Sequence, residues 1–161
     1  MDHPETPLKT KHTFLDFLYW NVVVSVPFFT ACIAIVEKSI VWLIIYIIAC
    51  IFLVMALLRF YCIHCPHYHH NTKTLNCMFF WWMPKMFKAK STPLSPLEIT
   101  ISVIVLLVLI MLPIYWLLLR PGLLVIYLLS MGVLGLTLRR YECKRCVYSQ
   151  CPSNCVPEEL K

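Results

Sequence analysis

Residues 39–58 read SIVWLIIYIIACIFLVMALL, twenty positions without a Lys, Arg, Asp or Glu. At 1.5 Å per residue such a run makes an α-helix about 30 Å long, the thickness of a bilayer's hydrocarbon core. Three more apolar runs accompany it, at 14–36, 97–119 and 121–138, with their charges confined to the ends. Open backbone groups are not tolerated in lipid, so helices are the form these runs take there. A soluble bundle is excluded by composition, because 60% hydrophobic and 14% charged residues leave too little polar chain to cover four such helices. The first run is too long for a cleaved signal peptide, and no small-residue cleavage site follows it. The fold class expected is all-α integral membrane, with four transmembrane helices.

The connections divide the spans into two hairpins. Little more than Glu37-Lys38 joins the first two, and Arg120-Pro121-Gly122 joins the last two. Basic residues then orient the protein. Lys9 and Lys11, then Arg59, Lys73, Lys85, Lys88 and Lys90, then Arg139, Arg140, Lys144, Arg145 and Lys161 lie on one side. The two turns carry only Lys38 and Arg120. The positive-inside rule places both termini and the middle segment in the cytoplasm, with the protein multi-pass in the cell (plasma) membrane. Basic residues beside anionic headgroups account for the net charge of +6, so no nucleic-acid partner is expected.

The halves read as copies. Arg59-Phe60-Tyr61-Cys62-Ile63-His64-Cys65 aligns with Arg140-Tyr141-Glu142-Cys143-Lys144-Arg145-Cys146 at an offset of 81. Thr13-Phe14-Leu15-Asp16 aligns with Ser95-Pro96-Leu97-Glu98 at an offset of 82. Both tetrapeptides carry a hydroxyl at the N-cap and an acid three residues on, so Asp16 and Glu98 are read as closing helix ends. The organisation expected is a segment 1–13, a first hairpin repeat 14–96 with a Cys/His-rich part at 59–96, and a second repeat 97–161 with a tail from 139. An even number of spans per copy makes this a parallel repeat, with both cysteine segments on one face. Gly132 and Gly135 offer a small-residue face for a close helix contact.

Seven of the nine cysteines fall in those cytoplasmic segments. Two thiolates three residues apart grip one metal from a single turn, and a later Cys or His completes a tetrahedron. In the reducing cytosol, clustered thiols are more often ligands than disulfides. The first candidate set is Cys62, Cys65 and Cys77, with His67 the histidine named from a stretch that also holds His69 and His70. The second is Cys143, Cys146 and Cys151, with Cys155. Zinc is the favoured metal, since the spacing matches neither common ferredoxin pattern; an iron–sulfur cluster is the alternative. Reduced, unliganded thiols and solvated histidines are the plainer readings of the same residues. Cys32 and Cys50, inside the spans, are read as packing residues too far apart in depth to pair. Met78–Lys90, with Trp81, Trp82 and alternating lysines, reads as an anchor at headgroup level.

At these motifs the chain resembles a family of small four-helix membrane proteins. Their pattern is Cys-x-x-Cys-Pro-x-Tyr with a later Cys, then Cys-x-x-Cys with Cys-Pro-x-Asn-x-Val-Pro. Here these are Cys62, Cys65, Pro66, Tyr68 and Cys77, then Cys143, Cys146, Cys151, Pro152, Asn154, Val156 and Pro157. Met78 stands where the pattern has proline, and Cys155 fills a variable position, so the resemblance implies three shared cysteines per half and no reaction. The function expected is a non-enzymatic scaffold or subunit with structural zinc, partnered by the bilayer and by another membrane or peripheral protein. A thiol/quinone oxidoreductase is one alternative, although both outer turns lack the cysteines such a relay uses. A soft-metal transporter is the other, although no charged or histidine side chain lies at mid-bilayer depth.

Overall fold

The structure is a computed structural model that describes residues 12–69, 74–146 and 156. Helices α1 (Phe14–Val36) and α2 (Ile40–Phe60) are followed by a 3-10 turn (Cys62–His64), a one-turn helix α3 (Pro66–His69) and strands β1 (Thr74–Asn76) and β2 (Trp81–Pro84). Then come α4 (Pro96–Met111), α5 (Ile114–Leu118) and α6 (Pro121–Thr137), the last continued by a π-helical turn, Leu138–Cys143. Four helical stretches among these residues are long and apolar enough to cross a membrane: Phe14–Val36, Ile40–His64, Pro96–Leu118 and Pro121–Cys143. The protein is a multi-pass membrane protein. Its outer surface is what lipid requires, with Phe52 71% and Leu136 74% exposed.

Both helix-start signatures form full capping boxes. Thr13 Oγ1 accepts from the Asp16 N–H at 3.3 Å, and Asp16 Oδ2 accepts from the Thr13 N–H at 2.7 Å. Ser95 and Glu98 repeat this at 3.3 and 3.0 Å. Each satisfies amide groups that a helix start otherwise leaves open. Ser39, in turn, caps α2 by accepting from the Val41 N–H.

The third span is not one helix over 97–119. It breaks at Leu112-Pro113, between α4 and α5. Proline has no N–H for the carbonyl four residues back, and its ring crowds that carbonyl. Beside the break, the Tyr127 hydroxyl of α6 donates to the Ile110 carbonyl at 2.8 Å, so one helix seals the next. Tyr127→Phe is expected to cost roughly 0.6–1.7 kcal/mol, the range for interhelical hydrogen bonds in membranes, as read by reversible unfolding in mixed micelles. Likewise the fourth span runs past 138 as the π-turn.

Packing crosses between hairpins. α1 lies along α6, and α2 lies along α4. Ala31, Ala34 and Ile35 of α1 meet Tyr46, Leu117 and Tyr127 in one buried cluster. The small residues that permit close approach are therefore alanines of α1. Gly132 and Gly135 are not part of a close contact, since a methyl group added at either meets nothing within 4 Å. Across the two short turns, Arg120 Nη2 pairs with Glu37 Oε2 at 2.9 Å. Cys32 and Cys50 pack against the buried cluster as expected, both as free thiols.

Candidate functional site: a thiol cluster at one end of the bundle

The cysteine-bearing end is built on α2. Its last turn passes into the 3-10 turn, where the Cys65 N–H donates to the Cys62 carbonyl at 3.0 Å and Tyr68 N–H to the Cys65 carbonyl at 2.9 Å. Leu58, Ile63, Tyr68 and Leu75 form a second buried cluster, with Cys62 and Cys65 packed against it. The antiparallel hairpin then carries Cys77, just after β1, back toward Cys62. Thr74 pairs with Pro84, Leu75 with Met83 and Asn76 with Trp81, leaving Trp82 as the extra residue of a bulge. Trp82 has φ 59°, a left-handed conformation that costs a β-carbon-bearing residue of order 1–3 kcal/mol. Its indole is 75% exposed, whereas Trp81 packs on Phe14 and Phe17 of α1.

The first three cysteines are brought together: Cys62 stands within electrostatic reach of Cys77 and Cys65. Burial pushes the Cys77 thiol up, while the backbone N–H groups of Met78, Phe79 and Phe80 pull the other way by donating to its sulfur. Glu142 adds the smallest push, also upward, so this residue of the second half stands within electrostatic reach of a cysteine of the first.

His67 is buried as well, and its ring centre lies 4.3 Å from that of His12. His12 Nδ1 in turn lies 3.8 Å from Glu142 Oε2, and Glu142 Oε1 accepts from Trp20 Nε1 at 3.1 Å. His12 and Glu142 were not singled out from sequence. No local signal marks either, because their meeting depends on α1 lying along α6. Cys143 and Cys146 are half-buried. Cys151 and Cys155 lie outside the described residues. Among the described residues, no three His, Cys, Asp or Glu side chains stand as a ready-made metal cage.

A strap closes over this end. Tyr68 OH donates to the Phe87 carbonyl at 2.7 Å, and Lys90 N–H to the Ile63 carbonyl at 3.0 Å. His64 is buried, with Nδ1 2.7 Å from the Thr92 carbonyl and Nε2 3.3 Å from Glu98 Oε1. Since a carbonyl only accepts, Nδ1 carries a proton. Nε2 makes no well-aligned hydrogen bond, and its 3.3 Å approach to a carboxylate is favourable when it too is protonated. Lys90 Nζ shares the same Glu98 oxygen at 3.0 Å. The acid that caps α4 therefore also ties down the strap.

Comparison with protein-family models, with curated proteins and with solved structures finds no match to this chain. The resemblance read from the cysteine motifs thus stands on those motifs alone.

Proposed function

We propose that this is a membrane scaffold or subunit whose cytoplasmic end is ordered by zinc on cysteine thiolates, with no catalytic step of its own. The observation that carries the reading is the grouping of Cys62, Cys65 and Cys77, with three backbone N–H groups aimed at the Cys77 sulfur. Such donors suit a thiolate, and a buried thiolate needs a cation. Zinc would draw the three sulfurs together, with His67 as the nearby nitrogen ligand. In the second half, Cys143, Cys146 and Cys151 form the corresponding set, with Cys155 as a further sulfur. The duplication read from the motifs gains support from two like capping boxes and from each hairpin packing on the other. The proximity of Glu142 to Cys77 favours two sets lying side by side on one face.

In this reading metal holds short segments that have little core of their own. Chelation of the purified protein is expected to speed proteolysis after Arg139 several-fold and to leave helical circular dichroism unchanged, since the spans keep their internal backbone bonds. Chelation without any effect on proteolysis counts against the metal. Orientation is tested separately: an impermeant maleimide on intact cells should leave Cys65 and Cys146 unlabelled, and rapid labelling would invert the topology. The second reading, a dithiol oxidoreductase using the Cys-x-x-Cys pairs, draws on Cys62 and Cys65 standing within electrostatic reach of each other. It would be favoured by metal-free protein with a reversible disulfide.

A further inference from the structure

The hairpin that carries Cys77 lies along one face of α1. Trp81 packs on Phe14 and Phe17, with ring centres 5.9 and 6.2 Å apart, and Phe79 packs on Trp20 at 6.3 Å. The Asn21 side-chain amide reaches the Phe79 carbonyl at 3.4 Å. Asn21 stands seven positions beyond Phe14, where α1 begins, and so about 10 Å further along the helix axis. The tip of the hairpin thus follows the first span inward instead of standing off its end. We propose that this tip is re-entrant: it dips beneath the lipid headgroups beside α1 and seats Trp82 and Met86 against phospholipid acyl chains. The proposal needs only the four spans, and it holds with or without metal on the thiols.

Lipid tolerates non-helical backbone only where protein satisfies its polar groups. The tip meets that condition. The N–H groups of Met78, Phe79 and Phe80 donate to the Cys77 sulfur, and the Cys77 N–H donates to the Phe80 carbonyl at 2.8 Å. The Phe79 carbonyl accepts from Asn21, whose amide also donates to the Phe17 carbonyl of its own helix at 2.9 Å. A turn bathed in water has its amides satisfied by solvent and gains little from such partners. At depth they are required, and this gives Asn21, a polar residue within the first apolar run, its task.

The outward face of the segment is apolar. Trp82, Pro84 and Met86 are exposed, while Met83 and Phe87, between and after them, pack on the buried cluster of Leu58, Ile63, Tyr68 and Leu75. Through the contact of Trp81 with Phe14, this face adjoins the lipid-facing surface of α1, where Phe14 and Leu18 are exposed. Lysines frame it where the chain returns to headgroup level: Lys88 is exposed, and the Lys85 ammonium lies over the Tyr68 ring at 5.0 Å. The left-handed Trp82 belongs to the same design. Backbone strain persists where something offsets it, and an indole set at the boundary of headgroups and acyl chains is such a gain.

The test reads tryptophan fluorescence from the full chain in phosphatidylcholine vesicles, where the difference between the parent and Trp82→Phe isolates the Trp82 signal. Lipid brominated near the carbonyl end of its acyl chains should remove about half of that signal or more, as for a ring at the membrane interface. Iodide present on both sides of the membrane should leave it nearly intact. Met86→Trp on the Trp82→Phe background reads the same face a second way and should behave alike. In Asn21→Leu, which opens the Phe79 carbonyl, the tip should lift and the Trp82 signal should become accessible to iodide. A Trp82 signal quenched by iodide as fully as free N-acetyltryptophanamide, and untouched by brominated lipid, overturns the proposal and assigns the face to water or to a soluble partner.

Discussion

Cys77→Ser is expected to purify with the first zinc site empty and with the strap at residues 85–92 cut by trypsin far faster than in the parent. Serine keeps the shape of the side chain but is a poor ligand, so the change tests the sulfur itself. Structural zinc contributes about 10–16 kcal/mol of apparent binding energy in small peptides at pH 7, much of it as folding energy. Here that energy acts on a hairpin with two short strands and a bulge, which has no independent stability. Its inner face rests on Leu75, Tyr68 and Phe80, so the loss should loosen this layer without unfolding the spans. The pH dependence has a definite sign. Burial raises the Cys77 thiol, so it holds its proton in the absence of a cation, and zinc must displace that proton. Apparent affinity should therefore fall about tenfold per pH unit for each proton released as the solution is acidified. Zinc content equal to the parent's, in a variant that remains folded, would remove Cys77 from the ligand set.

Trp20→Ala should give the largest loss of stability from a single side chain outside the cysteines, about 3–5 kcal/mol by the cost of emptying a buried aromatic site. Trp20 is 1% exposed and stands where three parts of the chain meet. Its indole packs edge-on against Tyr19 and against Phe79 of the hairpin, and its N–H donates to Glu142 of the π-turn. Removing it opens a void and takes away a donor to a carboxylate within electrostatic reach of Cys77. Trp20→Phe separates the two effects, since it keeps most of the ring and should cost roughly the 1.5–3 kcal/mol of a hydrogen bond to a charged group. Reversible unfolding in mixed micelles measures both. If alanine and phenylalanine cost the same, packing is not what Trp20 contributes.

Much of the fold was legible because lipid allows few solutions. A run such as 39–58 has no alternative to a helix, and Asp16 and Glu98 cap their helices as the local spacing implied. Composition hid other features. Pro113 sits inside a continuous apolar run, so the break between α4 and α5 was smoothed over, and nothing near Tyr127 says that its hydroxyl reaches Ile110. The Gly132/Gly135 pair pointed to a close contact that the alanines of α1 make instead. At the candidate site, the Cys-x-x-Cys turn is local and was readable, and the structure brings Cys77 within electrostatic reach of Cys62. His12 and Glu142 were not readable. They are 130 positions apart in a chain of 161, and they meet because α1 packs on α6. The left-handed Trp82 was hidden for a related reason, since a bulge is set by the register of two strands and glycine is the residue that usually announces it.

X-ray absorption at the zinc edge, on protein purified in detergent, decides whether the metal–thiolate centre exists. A shell of sulfur neighbours at about 2.3 Å is expected, three or more per zinc and diminished in Cys77→Ser. Protein that carries no zinc, or zinc surrounded only by oxygen and nitrogen at about 2.0–2.1 Å, would contradict it.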